Sequence, residues 1–111
     1  MNAETILANQ IREALGGTDL PVLVWRLNQG SFRGADGATR FYGLIPGASD
    51  LVGLVRGSGR LFACEVKTAR GRESEHQRLF RGLVTRTGGY ACVARSVPEA
   101  LDHAHRAASG E

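Results

Sequence analysis

Between residues 4 and 15, Leu7, Ile11, Ala14 and Leu15 recur at helical spacing and the run stops at Gly16-Gly17, which predicts a helix from Glu4 to Leu15. Pro21 to Leu27 is a short run rich in Val and Leu with Trp25 inside it, following a turn-prone Gly-Thr-Asp stretch, and reads as a buried strand. From Gln29 to Gly47 the chain is glycine-rich and carries Arg33, Arg40, Phe41 and Tyr42. So long a connection in a small domain is expected to be functional, and we read it as a substrate loop with a short strand near Tyr42.

Two strand-length apolar runs, Asp50 to Arg56 and Leu61 to Thr68, flank Gly57-Ser58-Gly59-Arg60, the sequence form of a β-hairpin. Ser74 to Arg86 places Leu79, Phe80, Leu83 and Val84 on one face and ends at Gly88-Gly89, an amphipathic helix. Tyr90 to Ala94 reads as another buried strand. Ser96-Val97-Pro98-Glu99 then supplies an N-cap, an early proline and a capping-box Glu for a last helix running to about Ala107. The resulting order is α-β-β-β-α-β-α. A helix between the runs 61–68 and 90–94 lets those strands lie parallel, so the pattern predicts an α/β domain with a mixed β-sheet flanked by helices.

The 111 residues are one domain's worth of chain, and 42% hydrophobic with 23% charged residues is an ordinary globular balance. No apolar run approaches a membrane span and Met1 to Gln10 has no signal pattern, so a cytoplasmic protein is expected. Cys64 and Cys92 lie inside apolar runs without metal-ligand spacing and read as reduced core thiols. The net charge of +3 suits a polyanionic partner without demanding one. More telling, the fourteen cations include a single lysine, Lys67, in Phe62-Ala63-Cys64-Glu65-Val66-Lys67-Thr68. A compact ammonium approaches a reacting oxygen or water in a way a guanidinium does poorly.

Alternation puts Glu65 and Lys67 on one face of their strand and Cys64 and Val66 on the other. A turn centred between Ser58 and Gly59 would set Val52 opposite Glu65 and Asp50 opposite Lys67, bringing Asp50 to the charged face; a one-residue slip would remove it. Two carboxylates and an ammonium on one face suit Mg²⁺, a hard cation taking oxygen ligands, and with it phosphodiester hydrolysis, with Lys67 orienting the water or stabilising the transition state. An ion pair with a spare carboxylate at a sheet edge is the other reading of the same residues.

Pro46-Gly47-Ala48-Ser49-Asp50, followed after fourteen residues by Glu65-Val66-Lys67, resembles the PD-(D/E)xK nuclease signature. More narrowly, Trp25-Arg26-Leu27-Asn28-Gln29-Gly30, the stretch Gly43 to Asp50, Glu65-Val66-Lys67-Thr68, Gln77 and Val93-Ala94-Arg95-Ser96 resemble the virus-type replication-repair nuclease (VRR-NUC) family over nearly the whole chain. The resemblance implies a restriction-endonuclease-like core. It also implies a Mg²⁺- or Mn²⁺-dependent deoxyribonuclease of a bacterial or phage-infected cell, acting as a homodimer on branched DNA such as four-way (Holliday) junctions. By the same resemblance Asp50, Glu65 and Val66 bind the metal, Lys67 assists the water, Gln77 is the fourth member of the site, and an acidic residue of the first helix completes it, with Glu4 fitting better by position than Glu13.

Gln77 is also three residues after Ser74, the spacing of a capping box. Arg26, Arg33, Arg40, Arg70, Arg72 and Arg78 fall in segments expected to rim the site, where they would hold DNA phosphates without reading sequence. His76 is read as a solvated helix residue, and His103 and His105, two apart, do not share a helix face. The alternative function is a non-catalytic nucleic-acid or protein-binding module on the same fold.

Overall fold

The computed structural model describes residues 2–27, 30–42 and 46–111. The elements are α1 (Ala3–Leu15), β1 (Val22–Arg26), β2 (Gly30–Arg33), β3 (Thr39–Tyr42), β4 (Leu51–Val55), β5 (Leu61–Val66), α2 (Glu75–Arg86), β6 (Tyr90–Ala94) and α3 (Val97–Ala108). The α/β class with a mixed sheet flanked by helices is as the pattern predicts. The element order needs correction: the stretch read as a substrate loop contains a second hairpin, β2–β3, of which only the strand near Tyr42 was expected. Gly34 and Gly37 close it through Gly34 N–H to Ala38 O (2.8 Å) and Gly37 N–H to Gly34 O (2.9 Å), and Gly37 takes the φ of 81° that the turn requires. Its glycine content masked the strands. Asn28, Gln29 and 43–45, part of the segments that carry the family resemblance, lie outside the described residues.

Four strands form the main sheet in the order β1-β4-β5-β6, with β5 and β6 parallel and the other pairs antiparallel; β2 and β3 make a separate two-stranded sheet. The crossover from β5 to β6 through α2 produces the parallel pair. Alternation along the strands divides the core. Leu51, Val55, Phe62, Cys64, Val66 and Cys92 pack beneath α1 and α3 with Ile11, Leu15, Ala100 and Ala104. Val52 and Ala63 face the other way and are covered by Phe80 and Val84 of α2. Gly53 permits the close approach of β1, since a Cβ there would fall 1.9 Å from the Leu23 carbonyl oxygen. Cys64 and Cys92, opposite one another across β5–β6, are buried free thiols; the hydrogen bond with Cys92, and after it burial, push the Cys64 thiol well up.

The β4–β5 register differs from the expectation by two residues. Leu51 pairs with Cys64 and Val52 with Ala63, so the turn is centred between Gly57 and Ser58 rather than between Ser58 and Gly59. Val52 is therefore not opposite Glu65, and the ladder, continued by one residue, sets Asp50 across from Glu65 instead of Lys67. The cause is a four-residue turn, Arg56 to Gly59, closed by Val55 N–H to Arg60 O at 2.7 Å, in which Gly57 and Gly59 take φ of 90° and 74°. An even displacement leaves every side chain on its expected face.

Candidate metal centre

The residues at issue come from four elements, α1, β4, β5 and α2, that meet at the carboxyl end of β5. Glu65 is the fifth residue of that strand, on the α2 side of the sheet, and is 2% exposed. Lys67 follows the strand directly, its backbone N–H held by Ala94 O (3.1 Å), and its ammonium lies 4.0 Å from Glu65 Oε1. Asp50 immediately precedes β4. Its backbone carbonyl accepts from Leu27 N–H at 3.0 Å and its Oδ2 accepts from Val66 N–H at 3.0 Å, so the end of β1 and the end of β5 both fix its position. The turn before it packs against α2: Gly47 has φ 84°, and a Cβ there would lie 2.2 Å from the His76 carbonyl oxygen. Only glycine fits that contact.

Glu4, in the first turn of α1, completes the group. Glu4, Asp50 and Glu65 each present a carboxylate oxygen, and these oxygens lie within 4.8 Å of one another. Glu13 is not part of this cluster and is exposed. The Val66 side chain is buried in the opposite core, so only its main chain reaches the acidic group.

Gln77 serves two purposes. Its Oε1 accepts from Ser74 N–H (2.8 Å) while Ser74 Oγ accepts from Gln77 N–H (3.1 Å), a complete capping box. Its Nε2 simultaneously donates to Glu65 Oε1 at 3.0 Å. The two readings of Gln77 are thus compatible, because an amide offers an acceptor to the helix end and a donor to the carboxylate.

This environment raises the Glu65 carboxyl to about 9, first through burial, next through the Asp50 charge and then through a hydrogen bond that the protonated carboxyl shares with Asp50; Lys67 opposes the rise and Glu4 adds a little to it. Glu65 is protonated at neutral pH in the free protein. Its Oε2 is buried, and no N–H or hydroxyl donor reaches it. Once deprotonated, the Glu65 carboxylate joins those of Glu4 and Asp50 in a group of oxygen donors that suits a hard divalent cation. The donor set fits Mg²⁺ or Mn²⁺ and lacks the sulfur and imidazole ligands that mark zinc.

The six arginines read as phosphate contacts are all exposed but do not form one patch. Arg26 ends β1 and donates to Asn9 Oδ1 (3.1 Å). Arg33 and Arg40 lie on the β2–β3 hairpin, where Arg40 pairs with Asp36. Arg78 pairs with Glu75 on α2. Arg70 and Arg72 belong to the connection after Lys67 and, with Ala69, Gly71 and Arg95, line an open cleft of about 510 Å³.

Arg95 was not among the residues expected at the site. It follows β6, and its Nη1 donates to Thr68 O (2.7 Å) and Gly71 O (2.6 Å), tying down the chain that leaves Lys67. The parallel pairing of Val66 with Ala94 brings it there, a non-local contact that no spacing within the sequence announces. His76 is exposed, and His103 is hydrogen-bonded to Tyr90 (2.7 Å), away from the acidic group. No model of a known protein family matches the chain, and no curated protein does either.

Proposed function

We propose that this chain is a metal-dependent endonuclease hydrolysing phosphodiester bonds, with branched DNA such as four-way junctions as its substrate class. The observation that carries the reading is the convergence of three carboxylates, those of Glu4, Asp50 and the buried Glu65, with the chain's one lysine 4.0 Å from Glu65. The branched-DNA assignment rests on the resemblance to the VRR-NUC family and its restriction-endonuclease-like core.

Asp50, Glu65 and Glu4, with the main chain at Val66, would hold Mg²⁺ or Mn²⁺. A cation bound there would supply Lewis acidity and make a bound water a better nucleophile by lowering its pKa. Lys67 contributes a fixed positive charge at a water-poor position, where it stabilises negative charge building on a phosphoryl oxygen and orients the attacking water. Gln77 donates to Glu65 Oε1 and so fixes the carboxyl, while no donor occupies Oε2. Arg70, Arg72 and Arg95 line a cationic cleft beside the strand end, suited to backbone phosphates flanking the bond to be cut.

The test is incubation with labelled four-way junction, nicked flap and linear duplex, with and without Mg²⁺, alongside Asp50→Ala and Lys67→Ala. Cleavage that needs the cation, prefers the branched substrates and disappears in both variants is expected. Cation-dependent cleavage unchanged in either variant overturns the mechanism. Salt-sensitive DNA binding indifferent to chelator, with no cleavage, would identify a binding module.

A further inference from the structure

Lys67 is only 9% exposed, although it lies past the end of β5 where the chain leaves the sheet. An ammonium on a four-carbon stem has many rotamers, and it keeps one direction only where neighbouring atoms exclude the others. What confines it is the chain that follows. Thr68 to Gly71 form a turn closed by Gly71 N–H to Thr68 O at 3.0 Å. A Cβ on Gly71 would lie 3.4 Å from Lys67 Cδ and 3.5 Å from Lys67 Cβ, so the bare main chain of the turn lies along the lysine stem.

A short surface turn held by its own bond opens readily. Arg95 fastens this one. Its Nη1 donates to both Thr68 O (2.7 Å) and Gly71 O (2.6 Å), the short distances of charge-assisted bonds. A guanidinium Nη carries two hydrogens, and these two bonds use both. Ala94, the residue before it, accepts the Lys67 N–H at 3.1 Å, so the end of β6 grips Lys67 by its own main chain and by the turn after it. The Arg95 N–H is in turn seated on Glu99 Oε1 (3.3 Å) in the first turn of α3. The far end of the connection is anchored separately, where Arg81 donates to both oxygens of Glu73 at 2.7 and 2.8 Å. Loss of Arg95 therefore frees the turn beside Lys67 and leaves the entry to α2 in place.

We propose that Arg95 is a positioning residue, which holds the Lys67 ammonium against Glu65 by locking the Thr68–Gly71 turn over the lysine stem. Its effect on cleavage rests on the reading of Lys67 as the charge that meets a phosphoryl oxygen. Although Arg95 lines the cationic cleft, it acts on the reaction through Lys67 and not chiefly through a bond to DNA.

Because the chain has a single lysine, the hold on Lys67 can be measured without DNA. Trace acetic anhydride at fixed pH acetylates Lys67 in one peptide, read by mass spectrometry, at a rate governed by how often the turn opens. Arg95→Met removes two hydrogen bonds and should raise that rate roughly thirtyfold, the factor for two bonds of ordinary net strength. Gly71→Pro deletes the turn's own N–H while keeping the guanidinium; it should raise the rate as well, and it stands if circular dichroism shows that Arg95→Met does not fold. Arg60→Met is the control for general loosening. Arg60 likewise donates to main-chain carbonyls, those of Gly88 (2.7 Å) and Ala107 (3.2 Å), but at the opposite end of β5, and its loss should leave Lys67 as in the wild type. With Mg²⁺ and a four-way junction, Arg95→Met should lower kcat about a hundredfold, the effect of misplacing a group by an ångström, while KM changes far less. Lys67 reactivity unchanged in the folded variants, or a rise in KM with kcat kept, overturns the proposal. A wild type that cleaves nothing defeats the nuclease reading alone, since the acetylation rates decide the hold on Lys67 without it.

Discussion

Glu65→Gln should make the protein more stable in alkaline solution and leave it almost unchanged in acid. In the folded chain the Glu65 carboxyl is raised from 4.5 to about 9, whereas in the unfolded chain it has its ordinary value. As pH climbs through that window the unfolded state sheds a proton that the folded state keeps. Stability therefore falls with rising pH, by at most about 1.4 kcal/mol per unit, and levels off only near 9. From pH 5 to pH 8 the loss reaches about 4 kcal/mol at most, which for a chain of this size is a fall in Tm of up to ~15 °C. Glutamine keeps the acceptor for Gln77 and has no proton to lose, so its profile lacks this descent. The other titrating groups are common to both proteins and cancel in the difference. Thermal melts of the two proteins without divalent cations at half-unit pH steps are the assay. Curves that run parallel from pH 5 to pH 8 would refute the claim that burial and Asp50 hold the proton on Glu65.

Mn²⁺ should compete with that proton: its affinity, measured calorimetrically, should rise close to tenfold per pH unit below pH 8 in the wild type, while Glu65→Gln binds weakly with a flat pH dependence. Lys67→Met, at the ammonium 4.0 Å from Glu65, should lower the cleavage rate by a hundredfold or more while leaving Mn²⁺ binding intact, since the charge is needed at the transition state rather than for the ground-state cation. Gln77→Ala removes both the helix cap and the bond to Glu65 and should cost about 1–2 kcal/mol in urea denaturation, with the m-value unchanged. Gly47→Ala should lower both stability and activity, because the new methyl meets the His76 carbonyl at a φ of 84° and Asp50 lies three residues on.

The elements with their own periodicity were legible in the sequence: α1, α2 and α3 from their apolar faces and caps, β5 and β6 from apolar runs of strand length. The β2–β3 hairpin was not, because its strands are short, polar and interrupted by the glycines that close the turn, leaving no period-two signal. The β4–β5 register was off by two because both glycines of the turn take positive φ and two placements of the loop suit the sequence equally. The convergence of Asp50 with Glu65 nonetheless followed from parity, which an even slip preserves. Glu4 was placed by resemblance, and helix spacing alone does not say that the first turn of α1 reaches β4. The place of Arg95 depends on packing between elements distant in sequence, and of the four apolar residues that the helical pattern puts on one face of α2 only Phe80 and Val84 are buried, while Leu79 and Leu83 are exposed.

The β2–β3 hairpin stands outside the ladder of the main sheet. Two strands alone are at best marginally stable in water, and none of the four strands of the main sheet, β4 and β5 beside the acidic group included, relies on them for pairing. Residues 30–42 are in that sense an accessory that natural variation or an engineer can lengthen, trim or exchange for another insert while the framework beneath keeps its hydrogen bonds. Diversity among chains built on this plan should accumulate there first.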